Sequence, residues 1–559
     1  MILYSTSPTK QHADPGPPRL PRWLSRLTGW MPVIFLVAGF GLLFYKLLSS
    51  HMLLARPDGW YSAGVTWADL AWHLSMLSNF AERGLSAVRE DPIFPGTKLA
   101  YPFLPDLLSA WLVRCGISVQ TSLIAPAFLA ILASVIALYF FARRIAGPIG
   151  AMAAPFLLFF NGSIVGCYYL WRDNRISHSL GSTLLSPGVD YSHLPERNIH
   201  FSNLVSEYIL PQRAAEFGLF LGVLAVQFLW LYWDTRRRKY LVYTSLTLSC
   251  MPYVHFHSFL ALVIVAAFLF CIQFLVDPGY WSVIREWLFF TAPLIILALP
   301  QVLLISPAHA GHFLRAQWGW MSGNDSVWLF WLKNMSPHGL VFALAYWMAK
   351  PKLKTFYLAF VGLFVVGNIL VFQPNDWDNI KLFVWWLLLS CVLTGFFLEQ
   401  LWQRHSWRGA SVALLLFALM TATGAASVYR ELHLSWLMFS REDLELADFV
   451  RGHTAKDALF LTSDKHNNPV ACLAGRRILM GYRGWLWSHG IDYREREQDI
   501  MVMYSGSGRA RDLLTHYGID YVLIEQDKMA DFHENVGFFA AHFRPVYSSA
   551  HYILFDAAR

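Results

Sequence analysis

The chain has 559 residues, is 56% hydrophobic and 16% aromatic but only 14% charged, and carries a net charge of +7 (44 Lys and Arg against 37 Asp and Glu). This composition excludes a large soluble core and points to an integral membrane protein. The basic residues gather at the ends of apolar segments, so the positive charge reports topology and no nucleic-acid partner is expected.

Residues 1–29 are Pro-rich and basic, with Arg19, Arg22 and Arg26 preceding the first apolar run. They read as a cytoplasmic tail before an uncleaved span at 30–48, which places the next stretch outside. That stretch, within an outer loop at 49–121, is too polar to cross. Asp69 and His73 are four apart and share a face on a helix. Trp67 and Trp72 suit a helix lying at a membrane surface. A second amphipathic piece, 101–115, carries Asp106. It reads as a surface helix because counting it as a span would put Arg143 and Arg144 outside.

Further spans are expected at 122–142, 148–170, 212–233, 240–253, 259–276, 288–305, 326–348, 355–372, 382–401 and 409–428, about eleven in all. The inner side then receives Arg143/Arg144, Arg236 to Lys239, Lys350/Lys352/Lys354 and Arg404/Arg408. The outer side receives Asp69, His73, Asp106, Arg172, Asp173, Glu207, Arg213, His255, His257, Asp376 and Asp378. Charged residues at the mouth of a bundle are costly unless paired or wet, so this grouping predicts a polar cavity at the outer leaflet. Solvated loops would give part of the same pattern.

From 429 to 559 the apolar runs shorten to strand length and charge rises. Strands are predicted at 458–462 and 520–525 and helices at 443–452, 497–504 and 509–517, a small α/β domain outside the membrane. Its stretch Gly481-Tyr482-Arg483-Gly484-Trp485-Leu486-Trp487-Ser488-His489-Gly490 reads as a packing loop or as one pressed onto a membrane or ligand. The six cysteines have no paired spacing, so neither a disulfide framework nor a cysteine metal site is expected.

The order of parts resembles the GT-C class of integral-membrane glycosyltransferases, which includes protein O-mannosyltransferases and the lipid A aminoarabinose transferase. The matching parts are Thr66-Trp67-Ala68-Asp69, then Tyr101-Pro102-Phe103-Leu104-Pro105-Asp106, then Ala142-Arg143-Arg144, with a soluble segment at the C-terminus. Leu70 stands after Asp69, where the class usually has an Asp-Glu pair. The stretch 373–381, QPNDWDNIK, is similar to uncharacterised bacterial members. The resemblance implies transfer of a sugar from a polyprenyl-phosphate donor to a lipid, glycan or protein acceptor, with inversion, at the outer face of a bacterial inner membrane.

On that expectation Asp69 is the general base. The lipid phosphate leaving group needs cations. Arg213 and Lys381 open inward-running spans at the outer boundary and suit that role, with Arg172 and Arg483 as further candidates. His73, Asp106, Glu207, Asp376 and Asp378 are expected to support the site or hold substrate hydroxyls. Asp376 and Asp378 also fit a capped turn before a helix. No cofactor is expected; a metal at His255/His257 would need a third ligand. A polysaccharide ligase or polymerase would use similar donors. A transporter would instead place its ionisable residues at midplane, often in repeated halves.

Overall fold

The computed structural model describes residues 22–185, 189–306, 313–404, 407–526 and 532–558. Most of the expected tail, residues 1–21, lies outside them. Seven helices among the described residues are long and apolar enough to cross a membrane: Trp30–His51, Val119–Phe159, Arg213–Thr235, Phe256–Val276, Tyr280–Ile305, Asp376–Gln403 and Trp407–Glu431. Their outer faces are apolar and bare. On Tyr280–Ile305, Ile296 and Leu303 are 69% and 64% exposed, which suits lipid and not water. The protein is a multi-pass membrane protein.

The other expected spans are shorter or broken. The segment at 240–253 is a helix of 11 residues, Lys239–Ser249, followed by a turn. Pro351–Gly367 has 17 residues. The stretch 326–348 is two helices, Val327–Met335 and His338–Met348, divided at Ser336-Pro337, where proline lacks the N–H a continuous helix needs. The stretch 148–170 breaks at 160–163 and resumes as Ile164–Ser177. The figure of about eleven therefore counts segments below the roughly 20 residues a full crossing needs.

The helix Ile380–Gln403 sits at the centre, apolar on every side and buried along most of its length. It packs against Val119–Phe159. The two backbones meet at Gly150 and Gly395, where a Cβ on either would strike the other's carbonyl. Val119–Phe159 turns sharply at Gly147 (φ 84°), a conformation that favours glycine. Glu399 of the central helix accepts N–H bonds from Ile149 (2.7 Å) and Gly150 (3.1 Å), capping the half that follows.

Outside this bundle lie the helices Thr66–Arg83 and Leu104–Arg114. An antiparallel sheet of Leu54–Arg56, Gly59–Ser62 and Trp436–Ser440 ties the first loop to the end of the last long helix. Beyond it runs a five-stranded sheet in the order Arg477–Ile478, Leu459–Leu461, Tyr521–Glu525, Tyr552–Asp556, Arg544–Ser548. The first three strands are parallel and the last two antiparallel to their neighbours. The segment 468–476 lies along Thr66–Arg83: Ser78 donates to the Cys472 carbonyl (2.7 Å) and the buried Arg476 pairs with Glu82 (3.1 Å).

Candidate functional site

Thr66–Arg83 carries Asp69 and His73 on one face, one turn apart. Its ends are held by the C-terminal segment, so this face is fixed in position. Nδ1 of His73 lies 2.9 Å from Oδ2 of Asp106, and both residues are buried. Asp106 sits in the first turn of Leu104–Arg114, where the helix N-terminus favours an anion. With Nδ1 donating to a carboxylate, a neutral His73 keeps its lone pair on Nε2.

The other oxygen of Asp106 pairs with Nε of Arg213 at 3.0 Å. Arg213 is 1% exposed. Its terminal nitrogens donate to the carbonyls of Leu123 (3.1 Å) and Pro105 (3.2 Å) and to the Ser109 hydroxyl. The guanidinium is thus spent on fixing three helix starts together. Arg213 was expected to present its charge to a lipid phosphate; in the structure its guanidinium is buried and engaged by Asp106, Leu123, Pro105 and Ser109 instead.

Asp69 itself is half-buried. Burial pushes its carboxyl up to about 6, against the pull of His73 and Lys381 and with the push of Asp378 and Glu207. Those four charges come from three separate parts of the chain. Lys381, the second residue of the central helix, is largely buried and pairs with Asp378 at 3.0 Å. Its charge also reaches His255, His257 and His489. His255 and His257 lie at the start of Phe256–Val276, their rings 5.6 Å apart, and Gln373 donates to His257 at 2.8 Å. His255 is extended (φ −155°), which lets residues two apart face one region. Glu207 lies 3.7 Å from His193, whose imidazole burial lowers but Glu207 raises further, for a net upward shift.

An aromatic wall closes one side. The Trp72 ring packs on Tyr101 (5.5 Å), His489 (4.8 Å) and Trp485 (5.8 Å). The Gly-aromatic stretch 481–490 is thus folded over the first-loop helix. Burial, with the Lys381 charge second, pushes His489 down to about 4, so it stands neutral in this wall at pH 7.

The chain aligns in space with an oligosaccharyltransferase from Archaeoglobus fulgidus in the apo form, at TM-score 0.53 and 10% identity, over 90% of this chain and 70% of that one. It aligns with ArnT from Cupriavidus metallidurans bound to undecaprenyl phosphate at TM-score 0.52 and 9% identity, over 95% and 98%. The fold is that of the GT-C glycosyltransferases. A third GT-C structure, the arabinofuranosyltransferase AftD from Mycobacteria, aligns at TM-score 0.51 and 12% identity over 89% of this chain and 40% of that one. No protein-family model and no curated protein matches the sequence.

Within this GT-C scaffold the remaining residues fall as follows. Asp376 pairs with Arg315 and accepts from Gln317 (3.0 Å), pinning the 373–379 turn to the segment after Arg315. The capping atom of that turn is the Asn375 side chain, not an aspartate. Arg172 pairs with Asp173 (2.7 Å) and stacks on Tyr169, in a group with Tyr191. Arg483 is held by Asp464 (2.6 Å) and Glu497 (2.7 Å). Both arginines have carboxylate partners.

Two residues of stretches noted in the sequence and one that was not noted also lie here. His489 and Tyr101 form the wall, and Glu216 lies fully buried one turn beyond Arg213, with no hydrogen-bond partner for either oxygen among the described residues. A lone acid inside the apolar run at 212–233 was its signal. Among the described residues no group of three or more His, Cys, Asp or Glu is arranged to hold a metal ion.

Proposed function

We propose that this chain is a membrane glycosyltransferase, moving a sugar from a polyprenyl-phosphate donor to an acceptor at the outer face of the membrane. What supports this is the GT-C fold, with Asp69 half-buried on the first-loop helix and its carboxyl pushed up by burial against the pull of the His73 and Lys381 charges. Asp69 takes the proton of an acceptor hydroxyl or amide as that group attacks the anomeric carbon. The bond from this carbon to the phosphate oxygen breaks, and the lipid phosphate leaves with the electron pair. Lys381 offsets its added negative charge, as a preorganised cation in a partly dry site. A single displacement inverts the anomeric centre.

In this reading His73, Asp106 and Arg213 hold the first-loop helix against the bundle, so Asp69 keeps its position. Asp378 orients Lys381, and Glu207 lies where it can bind substrate hydroxyls. The bound undecaprenyl phosphate of ArnT supports a polyprenyl carrier. The N-terminus and the basic helix ends lie in the cytoplasm of a bacterial cell, and residues 429–559 form an outer α/β domain over the site.

Membranes containing the chain are incubated with a panel of polyprenyl-phosphate sugars, and lipids from a deletion strain are read by mass spectrometry. Transfer from one donor, and accumulation of that donor in the deletion strain, are expected. Lys381→Ala should raise the donor KM by about ten- to a hundredfold, the loss of one charge-assisted contact. Unchanged donor affinity would remove Lys381 from this role. A deletion strain with unaltered lipid-linked sugars, together with no transfer from any donor, would reject the transferase reading.

A further inference from the structure

The helix Val119–Phe159 connects the Asp69 site to a second feature of different character. Leu123, whose carbonyl holds Arg213, is followed on the same helix by Arg143, a rise of about 30 Å. That distance matches the hydrocarbon thickness of a bilayer, so Arg143 lies at the opposite membrane boundary. There Arg143 and Arg144 line a cavity of about 490 Å³ with Ala137, Phe140, Leu224 and Gln227.

Several other basic residues at this boundary are engaged. Lys352 pairs with Asp234 at 3.0 Å. Arg236 stacks on Trp233 at 4.3 Å, Arg238 on Phe289 at 5.5 Å and Lys239 on Tyr240 at 5.2 Å. Arg143 and Arg144 have no ion pair and no ring partner among the described residues, and both side chains are exposed. The cavity thus offers two adjacent guanidinium groups and the amide of Gln227 at its polar end. Phe140, 38% exposed, Leu224 and Ala137 supply its apolar lining. Two unspent cations above an apolar wall at the water boundary match an anionic phosphodiester that carries acyl chains.

We propose that this cavity binds the headgroup of an anionic glycerophospholipid. Arg143 and Arg144 hold the phosphate, Gln227 donates to the headgroup oxygens, and the acyl chains lie along Phe140 and Leu224. The occupant braces the helix end just before the Gly147 turn, on the far side of the membrane from the transfer site. The assignment is independent of the transferase reading.

The full chain, purified in a neutral detergent, is titrated with short-chain phosphatidylglycerol, short-chain phosphatidylcholine and inorganic phosphate. Saturable binding of phosphatidylglycerol is expected, with phosphatidylcholine much weaker. Arg143→Gln/Arg144→Gln should weaken phosphatidylglycerol by about tenfold or more, since each cation near a charged headgroup contributes substantially. Arg237→Gln/Arg238→Gln should leave it unchanged. Equal binding by the Arg143/Arg144 variant, or an equal loss on changing Arg237 and Arg238, would overturn the site. Inorganic phosphate binding as tightly as the lipid would overturn the lipid assignment. Leu224→Trp fills the apolar wall without touching a charge. It should weaken phosphatidylglycerol and spare inorganic phosphate, which keeps the test decisive if the double arginine variant does not fold.

Discussion

Asp69→Asn separates the chemistry of this carboxylate from its cost to folding. Burial holds the Asp69 carboxyl at about 6. A base must be ionised, and at that value about a tenth of it is ionised at pH 5 against nearly all at pH 7.5. An ordinary aspartate would remain mostly ionised at pH 5. The kcat/KM of the wild type should therefore fall about tenfold from pH 7.5 to pH 5 with unit slope. The proposed donor is a phosphodiester with no second ionisation in this range, so the slope belongs to the protein. Asp69→Asn should lower the rate by about 10² to 10⁴ at pH 7.5, the usual worth of a positioned base. The same substitution should stabilise the fold. A carboxyl raised above its unfolded value contributes stability that is present below pH 4 and lost as pH rises through 6. At pH 7.5 the ionised Asp69 is a burden of about 1–3 kcal/mol, allowing for its partial exposure. For a chain of this length that is a rise of about 1–3 °C in Tm on substitution by Asn. The gain should vanish near pH 4. Radiolabelled sugar transfer and thermal unfolding across pH 4 to 8 read both arms. Wild-type turnover by the Asn variant, or a flat wild-type rate from pH 7.5 down to 4.5, would refute the reasoning.

Asp106→Asn leaves the buried Arg213 without its carboxylate and should cost about 3–5 kcal/mol, seen as loss of folded protein in detergent. Asp106→Leu with Arg213→Met removes both charges and should recover much of that stability without recovering transfer, because His73 loses its partner. Arg476→Met removes a buried guanidinium that pairs with Glu82 and donates to the carbonyls of Arg451 and Thr454. It should loosen the C-terminal segment from Thr66–Arg83 and speed limited proteolysis after Glu431. Gly150→Leu should prevent the approach of Val119–Phe159 to the central helix and abolish folded protein, by collision with the Gly395 carbonyl.

Local patterning carried much of the architecture. The apolar runs and their basic ends were legible because a bilayer imposes a minimum length and a charge asymmetry on any helix that crosses it. The break at 336–337 was not legible from hydropathy, since both halves are apolar and only the proline marks the division. The segments at 240–253 and 355–372 are helices of 11 and 17 residues, and hydropathy alone does not set that length, because an apolar run marks removal from water in protein and in lipid alike. The central helix is the limiting case, with its sides against protein.

The site was legible to the extent that it follows helical spacing. Asp69 and His73 share a face because they are four apart, and that periodicity is visible in any sequence. What His73 does with its ring is not, because its partner lies on the next helix and was brought there by packing. The same limit governs Arg213. In sequence it is a cation at the start of a span, which suits a phosphate. In space it is enclosed by Leu104–Arg114 and the start of Val119–Phe159, and Asp106 takes its charge. Lys381 opens a span in the same way and differs in one respect: its partner Asp378 is local, and its charge still acts on the Asp69 carboxyl. Two cations equivalent by position thus divide into one enclosed with Asp106 on a neighbouring helix and one paired with Asp378 of its own turn. The division follows from which helix start each was packed against, a tertiary fact. Desolvation supplies the link to function. A carboxylate in open water beside Lys381 would keep its ordinary acidity and remain a weak base at pH 7. The fold raises it by withdrawing water, and the His73 and Lys381 charges pull it back down. Removing either influence should move the pH profile in opposite directions: Lys381→Ala upward, and a substitution that wets Asp69, such as Trp72→Ala, downward. Shifts in the same direction would break the proposed division between burial and charge.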